Sequence, residues 1–152
     1  MRGVSLLSVL VFVALAVGVS AAGKETPQDI LDRGVAYYKQ GKLDDAIADF
    51  SAVIAMPDAP AELKAKALFN RGVTYGQQGK TDDAIADYSA VIAMPDAPVE
   101  QKAKALVDRG VAYYKQGKLD DAIANYSAVI AMPDAPVNIK VMARKKLAAI
   151  QH

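Results

Sequence analysis

Cysteine is missing altogether from this chain of 152 residues, which excludes both a disulfide framework and a thiolate metal site. Tryptophan is missing too, and the one histidine is His152. With no second imidazole, no thiol and no serine followed by a plausible base, neither a histidine metal site nor a nucleophile–base pair can be assembled. Neither sign of charge dominates, since 18 Lys and Arg face 17 Asp and Glu. No basic field therefore argues for nucleic acid, and no acidic excess argues for disorder. The glycines come singly, so there is no phosphate-cradling loop. The pairs Asp44-Asp45, Asp82-Asp83 and Asp120-Asp121 lack the alternating ligands and glycine turn of a calcium loop. No cofactor, metal or catalytic constellation is expected, and enzyme activity is not expected either.

Charge is also absent from Gly3 to Gly18, which follow Met1 and Arg2 and lead into the small residues Val19-Ser20-Ala21-Ala22. Positive, apolar, then small is the order of a secretory signal peptide, here residues 1–22, with cleavage after Ala21 or Ala22. No cysteine marks the boundary, so a bacterial lipoprotein anchor is excluded. The 21 uncharged residues from Gly3 to Gly23 could also span a bilayer as an uncleaved anchor; the small residues that end the run favour cleavage. The expectation is an exported protein, periplasmic or secreted. Without Arg2 its basic and acidic residues balance at 17 each.

What fills the rest of the chain is one sentence written three times. Ala65 to Lys102 and Ala103 to Lys140 are identical at 29 of 38 positions, and the same frame runs back through residues 27–64. A fixed period of this size marks a stacked array. In the middle copy Ala65, Leu68, Gly72 and Tyr75 recur at helical spacing. Pro60 suits a first helical position, and Gly79 a left-handed helix end, with Gly41 and Gly117 in the matching sites. A second helix begins at Asp82-Asp83 with Thr81 as a possible N-cap. Its stripe is Ala84, Ile85, Tyr88, Val91 and Ile92, and Pro95 breaks it after Met94. Gly72 and Ala84 are the expected close contact between the two helices, with Tyr75 and Tyr88 beside them. Glu62–Lys66 and Glu100–Lys104 read as i,i+4 pairs.

These residues resemble the tetratricopeptide repeat, whose pattern is W-x2-L-G-x2-Y, A-x3-F, P. The middle copy has Leu68-x2-Arg71-Gly72-x2-Tyr75, Ala84-x3-Tyr88 and Pro95. The first has Ile30, Arg33, Gly34, Tyr37, Ala46, Phe50 and Pro57, and the third Leu106, Arg109, Gly110, Tyr113, Ala122, Tyr126 and Pro133. The period is 38 rather than about 34, as a longer connector and an extra turn on each following first helix would give. A Sel1-like repeat has a comparable period, but its glycine-rich turn and terminal glycine are missing. The resemblance implies an all-α solenoid of three antiparallel helix-turn-helix repeats, over 27–64, 65–102 and 103–136. Helical spacing continues over 137–152, which reads as a C-terminal capping helix with a polar outer face. It carries Lys140, Arg144, Lys145 and Lys146, cations suited to a helix C-terminus.

Arginine stands where the family has an apolar residue. Asp49 and Asp87 lie at the matching site of the second helices, so Arg33–Asp49 and Arg71–Asp87 pairs are expected. Asn125 takes that site in the third copy and leaves Arg109 without a charge partner.

The resemblance also implies a concave groove, lined by the first helices, that binds a protein or peptide. By frame its residues are Leu31, Val35 and Tyr38, then Phe69, Val73 and Gly76, then Val107, Val111 and Tyr114. The Lys and Asn sites of the chaperone-type carboxylate clamp hold Leu31 and Val35, so that clamp is not carried over. Gly76, where its neighbours have tyrosine, is either a notch for a partner side chain or drift on a solvated surface. A second reading is a self-assembling structural module, because near-identical repeats have matching faces that can stack into a homo-oligomer.

Overall fold

The computed structural model describes residues 23–151; the expected signal segment, residues 1–22, lies outside the described residues. Seven helices follow one another: α1 (Pro27–Lys39), α2 (Leu43–Ala55), α3 (Ala61–Gln77), α4 (Thr81–Ala93), α5 (Val99–Lys115), α6 (Leu119–Ala131) and α7 (Val137–Ile150). Among the described residues there is no strand, and no helix is long and apolar enough to cross a membrane. The helices pair as α1–α2, α3–α4 and α5–α6, with α7 closing the stack against α6. α3 and α5 have 17 residues against 13 in α1, which is the extra turn that lengthens the period.

Glycine sets the turn inside each hairpin. Gly41, Gly79 and Gly117 have φ between +74° and +76°, a conformation that a Cβ disfavours. The next residue, Lys42, Lys80 or Lys118, donates its N–H to the carbonyl of Tyr37, Tyr75 or Tyr113 at 2.9–3.0 Å. Together with the glycine's own N–H bond back to Tyr38, Gly76 or Tyr114, this is the two-bond Schellman closure. The helix that follows starts with no side-chain cap bond. Thr81, expected as an N-cap, is the first residue of α4, and Lys80 holds the cap position without a side-chain bond. Pro60, expected inside α3, sits just outside it at φ −55° and ψ 145°. Its ring-fixed φ suits the cap equally well, and its carbonyl accepts the first helical bond, from Lys64. Met94 is extended, with ψ 119°, as a residue before proline should be.

The hairpins close on a contact that only glycine permits. A Cβ on Gly72 would lie 2.8 Å from Cε1 of Tyr88 and 3.3 Å from the carbonyl oxygen of Ala84. Gly34 meets Phe50 and Gly110 meets Tyr126 in the same way, at 2.7 and 2.6 Å. The glycine's principal neighbour is thus the ring, and Ala84 takes part through its backbone. Tyr75 is half-buried, with the Arg71 guanidinium and the Lys80 ammonium each within 6 Å of its ring centre.

Arg71 does more than join the two helices of its own hairpin. Its Nε and Nη2 donate to both oxygens of Asp87 at 2.8 and 2.7 Å, and its Nη1 reaches Ser51 of α2 at 2.9 Å. One side chain thereby fastens α2, α3 and α4. Arg33 makes the same fork with Asp49. Arg109 donates to Asn125 and Ser89, both at 2.9 Å, with no carboxylate partner among the described residues. Gln78 to Asp44 and Gln116 to Asp82, at 2.8 and 2.7 Å, add a second stitch between repeats. The two expected Glu–Lys pairs form as well.

The first helices α1, α3, α5 and α7 touch one another in succession, whereas α2, α4 and α6 do not. The stack therefore curves, with the first helices on its inner face. The outer face of α7 is less polar than its charge suggested. Val137, Val141 and Met142 are exposed beside Arg144 and Lys145.

Candidate functional site

The curvature brings equivalent residues of successive first helices onto one surface, and between each pair of repeats it leaves a cleft. The first cleft, about 220 Å³, lies among Val35, Tyr38, Phe50, Asn70 and Val73. One period on, Val73, Gly76, Tyr88, Asp108 and Val111 surround the second, about 250 Å³. Val111, Tyr114, Tyr126, Lys146 and Ala149 surround the third, about 170 Å³. The three clefts are one design repeated. Two aliphatic residues wall each one, Phe50, Tyr88 or Tyr126 of a second helix backs it, Lys39 joins the first and Gln77 and Lys115 the second, and two further positions vary. The rim is Tyr38, Gly76 or Tyr114. The polar position is Asn70, Asp108 or Lys146.

Six of the nine groove residues expected from the sequence line these clefts: Val35, Tyr38, Val73, Gly76, Val111 and Tyr114. The other three do not. Leu31 and Val107 are buried, at 4% and 1% exposure, and leave the groove set. They share core clusters with Ala67 of α3 and Ala143 of α7 respectively, so this position faces the following first helix. Phe69 stands at the same position, half-buried, with its ring tilted against Tyr88 at a centroid distance of 5.8 Å. The cleft residues outside the expected groove set are the variable polar ones and the rings behind them. A signal existed, because Asn70 and Asp108 differ between copies that are otherwise nearly identical.

Gly76 is open. A Cβ there would meet nothing within 4 Å. Without a tyrosine at its rim the middle cleft reaches inward to Thr81 and Ala84. Asp108 stands in it half-buried and makes no hydrogen bond or ion pair among the described residues. Burial pushes its carboxyl above the usual range, opposed by Lys146 and Lys115. The Tyr88 and Tyr126 hydroxyls are also pushed up, first by burial and then by the Asp108 charge, so both stay protonated. No group of three His, Cys, Asp or Glu side chains converges among the described residues. The inner face offers shape, apolar walls and isolated charges.

A tetratricopeptide-repeat family model matches residues 31–98 and again 69–136. The chain belongs to the tetratricopeptide-repeat family. The two matches are offset by one repeat, 38 residues, as a regular array requires. Its solved neighbours include the N-terminal domain of stress-induced protein-1 from C. elegans, with a TM-score of 0.68 at 19% identity over 83% of this chain and 94% of that one. Another is the first tetratricopeptide domain of Spaghetti (RPAP3) bound to the HSP90 peptide SRMEEVD, with a TM-score of 0.63 at 25% identity and the same coverages, 83% and 94%. No curated protein sequence matches the chain.

Proposed function

We propose that this tetratricopeptide-repeat protein is an exported, non-catalytic scaffold that holds a segment of another protein along the inner face of α1, α3, α5 and α7. One observation carries the reading: three clefts recur in register with the repeat, and the residues that differ between copies include those that line them. Residues that only pack, such as Gly72 and Val91, have no reason to differ, and they do not. Those that contact a partner do, because the partner is not itself a repeat. The Spaghetti domain bound to an HSP90 peptide supports a peptide-sized ligand. It does not support the same ligand, since the clamp residues are absent and the middle cleft of this chain presents a carboxylate.

Tyr38 and Tyr114 are the contact residues to test, as tyrosine gives a large amphipathic surface at small entropic cost. A library of displayed random linear peptides panned on the wild-type protein should yield binders. Fluorescence anisotropy on a synthetic binder should then show the Tyr38→Ala, Tyr114→Ala variant about tenfold weaker or worse, a loss typical of interface hot spots. Equal affinity for the two proteins would remove the groove from the reading. Export rests on the order of residues 1–22 and has its own test. The mature protein isolated after secretion should have the mass of a chain beginning at Ala22 or Gly23, and an intact Met1 would make the segment an anchor instead.

A further inference from the structure

We infer that the middle cleft is a socket for a lysine or arginine side chain of the bound segment, with Asp108 as the counter-ion. This rests on the groove reading above and names the chemistry of one position in it.

Three features meet at that cleft and at neither of the others. The rim residue is Gly76, which leaves the entrance open where Tyr38 and Tyr114 stand over the neighbouring clefts. The polar residue is a carboxylate rather than an amide or an ammonium. That carboxylate is half-buried and without a partner among the described residues, whereas Asp49 and Asp87 each accept an arginine fork and Asp44 and Asp82 each accept a glutamine. An ionised carboxylate is acceptor-only and loses hydration in such a place, so a donor carrying positive charge is the complement it lacks. Lys115 lines the same cleft and Lys146 lies near enough to oppose the effect of burial, but among the described residues neither forms an ion pair with Asp108, so the carboxylate stays open to a ligand cation. The walls suit the rest of the side chain. Val73 and Val111 cover an aliphatic stem, and the Tyr88 ring offers an aromatic surface to a guanidinium or ammonium. An acidic side chain would be repelled, and a short neutral one would leave the carboxylate as it is.

The chain itself supplies two variants that respect its fold. Asp108→Asn installs what the preceding repeat has at Asn70, and Gly76→Tyr installs what Tyr38 and Tyr114 already are. The carboxyl of Asp108 is harder to ionise in the folded protein than in the unfolded chain, so its charge at neutral pH opposes folding, and Asp108→Asn should melt no lower than wild type. Peptides recovered from panning on the wild type should carry a Lys or Arg, and replacing that residue by norleucine should weaken binding about tenfold, the scale of one charge-assisted hydrogen bond. Asp108→Asn should weaken the parent peptide by the same factor and leave the norleucine peptide unchanged. Gly76→Tyr should weaken the parent as well.

Binders that contain no basic residue, or a basic residue whose replacement costs the same with Asp108→Asn as with wild type, would overturn the socket. If such binders still depended on Tyr38 and Tyr114, the groove would stand without it. An absence of binders would overturn both.

Discussion

Gly72→Leu should lower stability by about 3 kcal/mol, the upper part of the range for overpacking a core, measured as a fall in the denaturation midpoint. Already the Cβ would lie 2.8 Å from the Tyr88 ring and 3.3 Å from the Ala84 carbonyl. The ring is held between the middle cleft and Phe69, and the carbonyl belongs to α4 and cannot move alone. The loss has to exceed the gain of about 1 kcal/mol that a helix makes on exchanging glycine for a better helix former. Gly76, one turn further along the same helix, separates these effects. With nothing within 4 Å of its would-be Cβ, Gly76→Ala should gain about 1 kcal/mol from propensity alone. Two glycines in α3 thus respond with opposite signs, and equal responses would show that the hairpin does not close on Gly72.

Asp87→Ala should cost about 2 kcal/mol, less than the loss of a fully buried pair because Arg71 keeps some access to water. The side chains of Arg71 and Asp87 are 21% and 8% exposed. Alanine there leaves a guanidinium facing an apolar contact, with Ser51 as its remaining partner. Asp87→Asn should cost clearly less, since Asn125 already accepts from Arg109 at 2.9 Å in the third hairpin. Urea denaturation of the two variants side by side is the measurement. An alanine variant no weaker than the asparagine one would mean that the charged fork contributes nothing.

The architecture was legible because this chain punctuates its helices with residues whose backbone limits are absolute. Gly41, Gly79 and Gly117 are needed at positive φ, and Pro57, Pro95 and Pro133 disfavour helix in the residue before them. The arginine forks were legible too, since Arg71 and Asp87 lie 16 positions apart in every copy, with asparagine as the variant in the third. Helix starts were less so. Thr81 and Pro60 each miss their expected position by one residue, and no side-chain cap bond fixes either start. Depth was the least legible quantity. A frame says which residues are equivalent but not how far each sinks: Val107 disappears against α7 while the larger Phe69, at the same position, stays half-buried. Asp108 was marked by its variation, but its place in a cleft was not legible, for a related reason. Its meaning comes from Gly76 and Tyr88, which reach it only when one repeat curves against the next.

The recurrence of the clefts has a consequence for how a bound segment finds its place. If all three were alike, a ligand could slip by one repeat and lose only the contacts at its end, so the complex would be a mixture of registers. In the groove proposed above, Asn70, Asp108 and Lys146 would oppose this, being neutral, negative and positive at one repeat position, with Lys39 beside the first and Lys115 beside the second. A segment whose side chains match that order in one alignment would mismatch it in both shifted ones. Three different residues at a single repeat position would thereby give a periodic surface a defined origin and direction.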